Sequence, residues 1–349
     1  MSHGTATLWE SPGELANRLI VAGPHWGKGD PHLSLPWFAL LAETAMPSGV
    51  SLLCEDCSQI EPGASHLLLM RSNDMPGMVT SLSNFYSPLF GLVGEEVVSP
   101  EKLTGILARL RLAKPRIHEV RCAPLDTASR SWQLLRQAFR QAGWLIDDYF
   151  CFGNWYHQVA PGGFAGYFER LDSRLRNTIR RGEKKIAKTP GARVQIFDGN
   201  ESDLASAIEA FVAVYNRSWK KPEPFPAFIP GLCRLAAANN GLRLGLVWLD
   251  EQPIAAQLWL VANGKAHIVK LAYDQDFPGF SVGTVLTAAL FRHVIDVDRV
   301  SEIDYLIGDD PYKSDWMSSR RERRGVVAFN PSAVRGWWHA AKHHLGKLR

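Results

Sequence analysis

Two charged residues stand where strand propensity disfavours them. Asp304 falls within Glu302–Ile307, a segment that predicts a strand with Ile303, Tyr305 and Ile307 on one face and Glu302, Asp304 and Leu306 on the other. A carboxylate held there can take a proton from an attacking amine or anchor that amine as a cation. General-base work of this kind contributes about 10²–10⁴-fold in rate. The plainer alternative is a buried hydrogen-bonded network. Lys270 falls within His267–Tyr273, where alternation puts His267, Val269, Leu271 and Tyr273 on one face and Ile268, Lys270 and Ala272 on the other. A lysine in so apolar a strand needs an open cleft or a partner. Between the two strands, Ser281, Val282, Gly283 and Thr284 open a predicted helix, Val282–Asp296. Unpaired N–H groups at a helix start favour an anion such as a phosphate, with Gly283 allowing close approach. The dipole term is about 0.3–2 kcal/mol, enough to position a ligand but not to bind it alone. An ordinary strand-to-helix turn is the alternative there. After the second strand, Gly308–Trp316 packs Asp309, Asp310, Tyr312, Lys313 and Trp316 into one loop. Lys313 suits a phosphate or carboxylate, and the two aspartates suit plain solvation of the loop.

The elements that must position these residues can be read along the chain. Residues 1–35, rich in Gly, Pro and His, predict an irregular lead-in. Helices are expected at 36–43, 100–112 and 129–142, and strands at 50–54, 66–71, 78–90 and 117–121, with a strand pair across 146–159. Phe164–Lys188 predicts one long basic helix whose Leu171, Leu175 and Ile179 form the buried stripe. Its cations are a solvated face or, for some arginines including Arg176, ligands for an anion. Then come a strand at 194–197, helices at 203–219 and 230–239, a hairpin of 243–249 with 254–262, and a strong Asn263-Gly264 turn into the strand at His267. A last strand is expected at 325–329, and an amphipathic helix at 331–349 carrying Trp337, Trp338 and Leu345 beside Arg335 and Lys342. Such a helix either packs on the protein body or lies on a membrane surface or anionic polymer.

The chain has 349 residues, 46% hydrophobic and 21% charged, a size that suits two domains of roughly 100–200 residues each. The expected division is 1–160, 161–330 and the tail 331–349. Net charge is +4, yet residues 317–349 carry eight Lys/Arg against one Glu, so the remainder is net −3. Five scattered cysteines lack the spacing of a zinc site, and plain thiols of a reducing, cytoplasmic compartment are expected. No metal site is expected: His339, His343 and His344 have helical spacing but no further ligand can be named. The first residues do not read as a signal peptide. The uncharged runs 75–94 and 149–168 are broken by Pro, Gly, Asn and Ser and read as strands and turns rather than membrane helices.

The second half resembles the GNAT-like acetyltransferase group found with cellulose and exopolysaccharide genes, the CelD-like proteins. These are similar in turn to Fem-type peptidyltransferases, which hold two GNAT-like units in one chain. The resemblance rests on Arg174-x-Arg176-x-x-x-Arg180-Arg181, on Glu251-Gln252-Pro253-Ile254-Ala255-Ala256, on Tyr273-Asp274, on Gly283 opening a helix, and on Asp304…Gly308…Tyr312-Lys313-x-x-Trp316. It departs from the common Ser-Pro-Gly at the helix start, where this chain has Ser281-Val282-Gly283.

The resemblance implies an α/β fold with two GNAT-like acyltransferase units in tandem, mixed central sheets flanked by helices, the first unit degenerate. It implies an acyl-CoA such as acetyl-CoA as co-substrate, its pyrophosphate on Ser281–Thr284 with Tyr273 alongside. The acceptor would be an amine on a small polar, sugar-derived or amino-acid-derived molecule. Asp304 would serve as base or anchor and Tyr312 as the acid that protonates the leaving thiolate, with Lys270 and Lys313 assisting. A backbone N–H near the end of His267–Tyr273 would receive the thioester oxygen. Asn84, Tyr86, Arg176 and Trp316 are the candidates for acceptor binding, although a turn asparagine beside a packed tyrosine is the more ordinary reading of Asn84 and Tyr86. An aminoacyl-tRNA donor, as in Fem-type proteins, would use the basic helix on phosphates, but no heptad run predicts their coiled-coil arm. A non-catalytic scaffold for anionic partners is the third reading.

Overall fold

The computed structural model describes residues 9–21, 23, 25–199 and 203–347. Residues 1–8 of the expected lead-in and the last two of the expected tail helix lie outside them. Internal contacts divide the chain into one unit of Met1–Phe152 with Glu322–Arg349 and a second of Gly153–Arg321.

The lead-in contains a helix that was not expected, α1 (Pro12–Ile20). Ser11 caps it: the Glu14 N–H donates to the Ser11 hydroxyl, and the Ser11 N–H donates to the Glu14 carboxylate at 2.8 Å. The Ser-Pro-Gly that reads as irregular is thus a capping box with Pro in the first turn. Helix α2 (Leu35–Thr44), strands β1 (Val50–Asp56), β2 (His66–Ser72) and β3 (Met78–Ser81), helix α3 (Pro100–Leu112), strand β4 (Glu119–Asp126) and helix α4 (Arg130–Gln141) follow. Next comes β5 (Leu145–Gln158), one strand rather than the expected pair. Gly153 within it makes room for a side chain: a Cβ there would stand 2.4 Å from the Arg320 guanidinium.

The expected helix of 164–188 is two helices, α5 (Gly163–Arg170) and α6 (Ser173–Lys188). The carboxylate of Asp172 accepts from the Arg174 N–H at 2.8 Å and restarts the helix. That restart sits inside an unbroken apolar period, which hides it from a count of spacing alone. Then come β6 (Ala192–Phe197), α7 (Leu204–Arg217), α8 (Phe228–Ala238), β7 (Leu242–Leu249), β8 (Gln252–Ala262), β9 (Lys265–Tyr273) and α9 (Val282–Asp296). Strand β10 (Glu302–Asp304) is half its expected length, because the chain turns at Leu306 (φ +55°) and Gly308 (φ +98°). Strand β11 (Ser319–Phe329) is longer than expected, and α10 (Val334–Lys347) closes the described chain. No described helix is long and apolar enough to cross a membrane.

Both units are mixed α/β. In the first, the strand order is β1-β2-β3-β4-β11-β5, with β3 parallel to β4 and β4 antiparallel to β11. In the second it is β5-β10-β9-β8-β7-β6. Within this second sheet only β10 and β9 run parallel, and they pair only from Glu302↔Lys265 to Asp304↔His267. Beyond that point β9 continues to Tyr273 while the chain after β10 turns away.

Helices α5, α6 and α9 cover one face of the second sheet. Their apolar stripes share a core with Val247, Trp259 and Ile303. Phe291 sits at its centre: Tyr167 stacks on it at 4.9 Å, Trp316 at 5.2 Å, and Trp259 meets it edge-on at 5.4 Å. Each such aromatic contact adds about 0.5–1.5 kcal/mol beyond burial. Helices α7 and α8 pack against β7, β8 and β9 as well.

Candidate active site

A cavity of about 560 Å³ opens where β9 outruns β10. Leu271 and Tyr273 of β9 form one wall, Gly283, Thr284 and Thr287 of α9 another, and Leu175 of α6 a third. Tyr305, Asp310, Tyr312, Asp315 and Trp316 close it from the loop after β10, and Trp219 and Lys220 from the segment after α7.

A bulge in β9 decides which side chains reach this cavity. The register jumps from Leu258↔Lys270 to Trp259↔Ile268, so one residue of β9 is extra. Ala266 and Ile268 belong to the core shared with α9, and so do Leu271 and Tyr273 beyond the bulge. Strict alternation would have grouped His267 and Val269 with Leu271 and Tyr273; the bulge replaces them with Ala266 and Ile268. Lys270 lies away from the cavity lining, and its ammonium pairs with the Glu223 carboxylate at 2.6 Å.

The start of α9 has the expected form. Ser281 adopts φ +50° and its side chain does not cap the helix; the first intrahelical bond runs from the Val285 N–H to the Ser281 carbonyl. Gly283 and Thr284 face the cavity. Val282 instead turns its side chain into the core, where it is buried. Gly283 matters sterically, since a Cβ there would stand 3.1 Å from the Tyr273 ring. Gly182 of α6 matters more: its Cβ would lie 2.5 Å from the Val285 side chain and 3.0 Å from the Phe280 carbonyl. The close approach of α6 to the start of α9 depends on that missing methyl.

Of Asp304, Tyr312 and Lys313, the residues expected to act in catalysis in this stretch, only Tyr312 lines the cavity. It stands edge-on to Tyr305 with ring centres 5.7 Å apart. Burial, then the nearby Asp310 carboxylate, pushes its phenol up to about 12, so it carries its proton at neutral pH. Asp304 is buried behind the lining and fully engaged. Its carboxylate accepts from the Leu306 N–H at 2.6 Å, from the Asn154 amide at 2.6 Å, and from the Arg321 guanidinium. Arg321 also reaches Glu302 at 2.9 Å. Lys313 is likewise a tie within its own loop: it donates to the carbonyls of Ile307 (2.5 Å) and Gly308 (3.2 Å) and pairs with Asp310 at 3.2 Å. Burial lowers its pKa and Asp310 opposes the drop.

Trp316 is buried in the cavity wall, its carbonyl accepting from the Tyr167 hydroxyl at 2.7 Å. Arg176 lies outside the lining and pairs with Glu169 at 2.6 Å. Asn84 and Tyr86 belong to the first unit. There Asn84 donates to the Ala45 carbonyl at 2.9 Å and accepts from the Tyr86 N–H at 2.9 Å, while the Tyr86 ring is buried.

Two lining residues carry chemistry that the sequence pattern did not single out. Lys220 follows the α7 helix in a run that looks like a solvated loop. Its ammonium lies over the Trp219 ring at 5.7 Å and the Tyr215 ring at 5.9 Å, within reach of the charges of Lys270 and Glu223. Burial, reinforced by the charge of Lys270, brings its pKa down to about 8. Tyr305 is buried, and burial raises its phenol far above the ordinary tyrosine value. It bonds to Thr287, which accepts from Gln257 at 2.7 Å; Gln257 in turn accepts from the Trp259 indole at 2.9 Å. A polar tyrosine at an apolar strand position was the available signal for Tyr305. Nothing in spacing marks Lys220.

Residues 173–314 match the family model of the acetyltransferase (GNAT) domain, and the second unit carries that domain. No curated protein matches the chain by sequence. Among solved structures, FemX is similar at 11% identity and a TM-score of 0.59, covering 93% of this chain and 98% of that one. L-PGS from Bacillus licheniformis is similar at 10% identity and 0.56, covering 98% and 99%. A conserved protein of unknown function from Bacteroides thetaiotaomicron is similar at 7% identity and 0.54, covering 93% and 99%. At such identities the likeness is one of fold, and it extends over both units.

Proposed function

We propose, for a second unit that carries a GNAT domain, transfer of an acyl group from an acyl-CoA thioester to the amine of a small polar acceptor. The observation that carries the reading is the cavity itself: a wedge between diverging parallel strands with the uncapped first turn of α9 in its wall. Such a turn suits the pyrophosphate of coenzyme A. Gly283 and Thr284 offer the N–H groups, and Tyr273 walls the entry.

The acceptor amine attacks the thioester carbonyl, the C–N bond forms, and the C–S bond breaks. Asp315 at the cavity wall is a carboxylate able to receive the acceptor as an ammonium ion. Lys220, neutral in part near pH 8, takes the proton that this ammonium must shed before its nitrogen can attack. Tyr312 donates its phenolic proton to the departing thiolate, and the nitrogen's second proton, released as the tetrahedral intermediate collapses, restores the phenol. Asp304 acts at one remove: it fixes the turn at Leu306 and, through it, the loop that bears Tyr312.

The test is thiol release from acetyl-CoA by the purified full chain over a panel of amino sugars and amino acids, with isothermal titration of coenzyme A alone. Heat of binding that disappears in a Gly283→Val variant supports the donor. Absence of both coenzyme A binding and thiol release overturns the reading. A second reading, an aminoacyl-tRNA donor, draws on the cations of α6 that take part in no ion pair among the described residues, Arg174, Arg181, Lys184, Lys185 and Lys188. Salt-dependent binding of tRNA without binding of coenzyme A would favour it.

A further inference from the structure

Helix α10 has apolar residues on two opposite faces. One face packs: Ala340 is buried against Val327 and Phe329, Ala333 is buried at the helix entry, and Gly336 approaches the Asn330 backbone so closely that a Cβ would meet its carbonyl at 2.1 Å. His339 and His343, expected as plain surface histidines, add polar ties on that side, to Glu119 at 2.7 Å and Asp147 at 3.0 Å. At 100° per residue the opposite face runs through Val334, Trp337, Trp338, Ala341 and Leu345. A helix face turned away from the core is ordinarily polar. Here Val334 is 89% exposed, Trp337 57%, Trp338 61% and Leu345 65%. Phe150, half exposed, lines the same surface depression as Trp338 and Lys342.

The charge on the helix itself is one-signed, and the Glu119 and Asp148 carboxylates of the depression beside it are paired with His339 and Arg121 and with Arg324 and Arg136. Helix α10 contains Arg335, Lys342 and Lys347 and no acidic residue. Arg335 and Lys342 lie on one flank of the stripe and take part in no ion pair among the described residues; Lys342 rests over the Trp338 ring at 5.3 Å. Tryptophan rings with cations beside them suit the boundary between lipid headgroups and acyl chains, where the rings go down and the cations stay among anionic headgroups. The stripe is one helix wide, with four large side chains. A standard protein–protein interface uses about 20–30 residues a side, so a second copy of this chain is the poorer occupant.

We infer that α10 docks the protein on an anionic lipid surface, lying in the plane of the headgroups with Val334, Trp337, Trp338 and Leu345 inserted. Neither the acyl donor nor the acceptor proposed above enters this inference, so it stands or falls separately.

Co-sedimentation of the full chain with phosphatidylcholine vesicles, and with vesicles that also contain phosphatidylglycerol, tests it. The expected result is pelleting with the anionic vesicles at low salt, weakened at high salt. Arg335→Gln with Lys342→Gln lowers the partition about 30-fold, which corresponds to about 1 kcal/mol for each cation. Trp338→Ser with Leu345→Ser abolishes it; both side chains are exposed, and an unchanged circular-dichroism melt shows the fold intact. Absence of pelleting with anionic vesicles overturns the inference, as does equal pelleting with both compositions. Sedimentation equilibrium covers the other occupant: a dimer that the same double substitution turns into a monomer assigns the stripe to a second copy and overturns the lipid assignment.

Discussion

Lys220 gains its chemistry from its surroundings rather than from any motif. A lysine whose pKa has come down to about 8 is half deprotonated there and fully so above. The acyl-transfer rate of the unmodified protein is therefore expected to climb as pH rises toward about 8 and to level off above it. Lys220→Met should flatten that climb and lower kcat by about 10²-fold, with KM for the donor little changed, measured as thiol release across pH. A profile identical to that of the unmodified protein would remove Lys220 from the mechanism. Tyr312→Phe deletes the proton of a phenol that stays protonated to about 12; kcat should fall by about 10²-fold while coenzyme A affinity stays level. Asp304 makes the contrasting case. Its oddity was legible in the sequence, since an aspartate in a strand must have a reason. The sequence could not say which reason, because its partners lie outside its own strand, Asn154 150 residues before it and Arg321 17 residues after it. Asp304→Ala leaves Arg321 half-buried beside Glu302 and should destabilise the fold by about 3–5 kcal/mol, toward the lower end because the arginine keeps some solvent. Urea unfolding measures this, and a loss below about 1 kcal/mol would contradict the network.

At the scale of elements, the packing of α6 on α9 sets where the first turn of α9 stands. Gly182→Val would drive a branched side chain into Val285 and the Phe280 carbonyl. Overpacking of this kind costs about 1–3 kcal/mol. The start of α9 would have to move, so coenzyme A affinity should drop at least about tenfold by titration, far more than the loss in melting temperature alone would suggest. Most elements were legible because their apolar periods are long and their ends carry caps: β7, β8, β9 and α9 lie where alternation and Asn263-Gly264 put them. The misreadings have local causes. The bulge in β9 leaves no mark in composition, yet it changes which residues share a face with Tyr273. The Asp172 cap is one residue inside a continuous stripe. In β5, Gly153 is a gap for the Arg320 side chain within one continuous strand.

For the molecule as a whole, the lining of the cavity comes from residues 175 to 316, all within the second unit, whereas α10 belongs to the first. Trp338→Ser with Leu345→Ser is accordingly expected to leave turnover in free solution within about twofold, because it touches no group that binds or reacts, and surface changes of this kind stay within about ±0.5 kcal/mol. A concurrent loss of solution activity would tie the two functions together. The division of the chain has one more consequence. Strand β11 completes the first unit by pairing with β4, from Arg323↔Asp126 to Phe329↔Glu119, and everything from Gly153 to Arg321 is synthesised between them. A growing chain on the ribosome therefore carries β4 with one edge bare while the second unit emerges, and an unpaired strand edge is a template for wrong partners. The part made first is finished last, so the birth order of the two units and their order of completion run opposite ways.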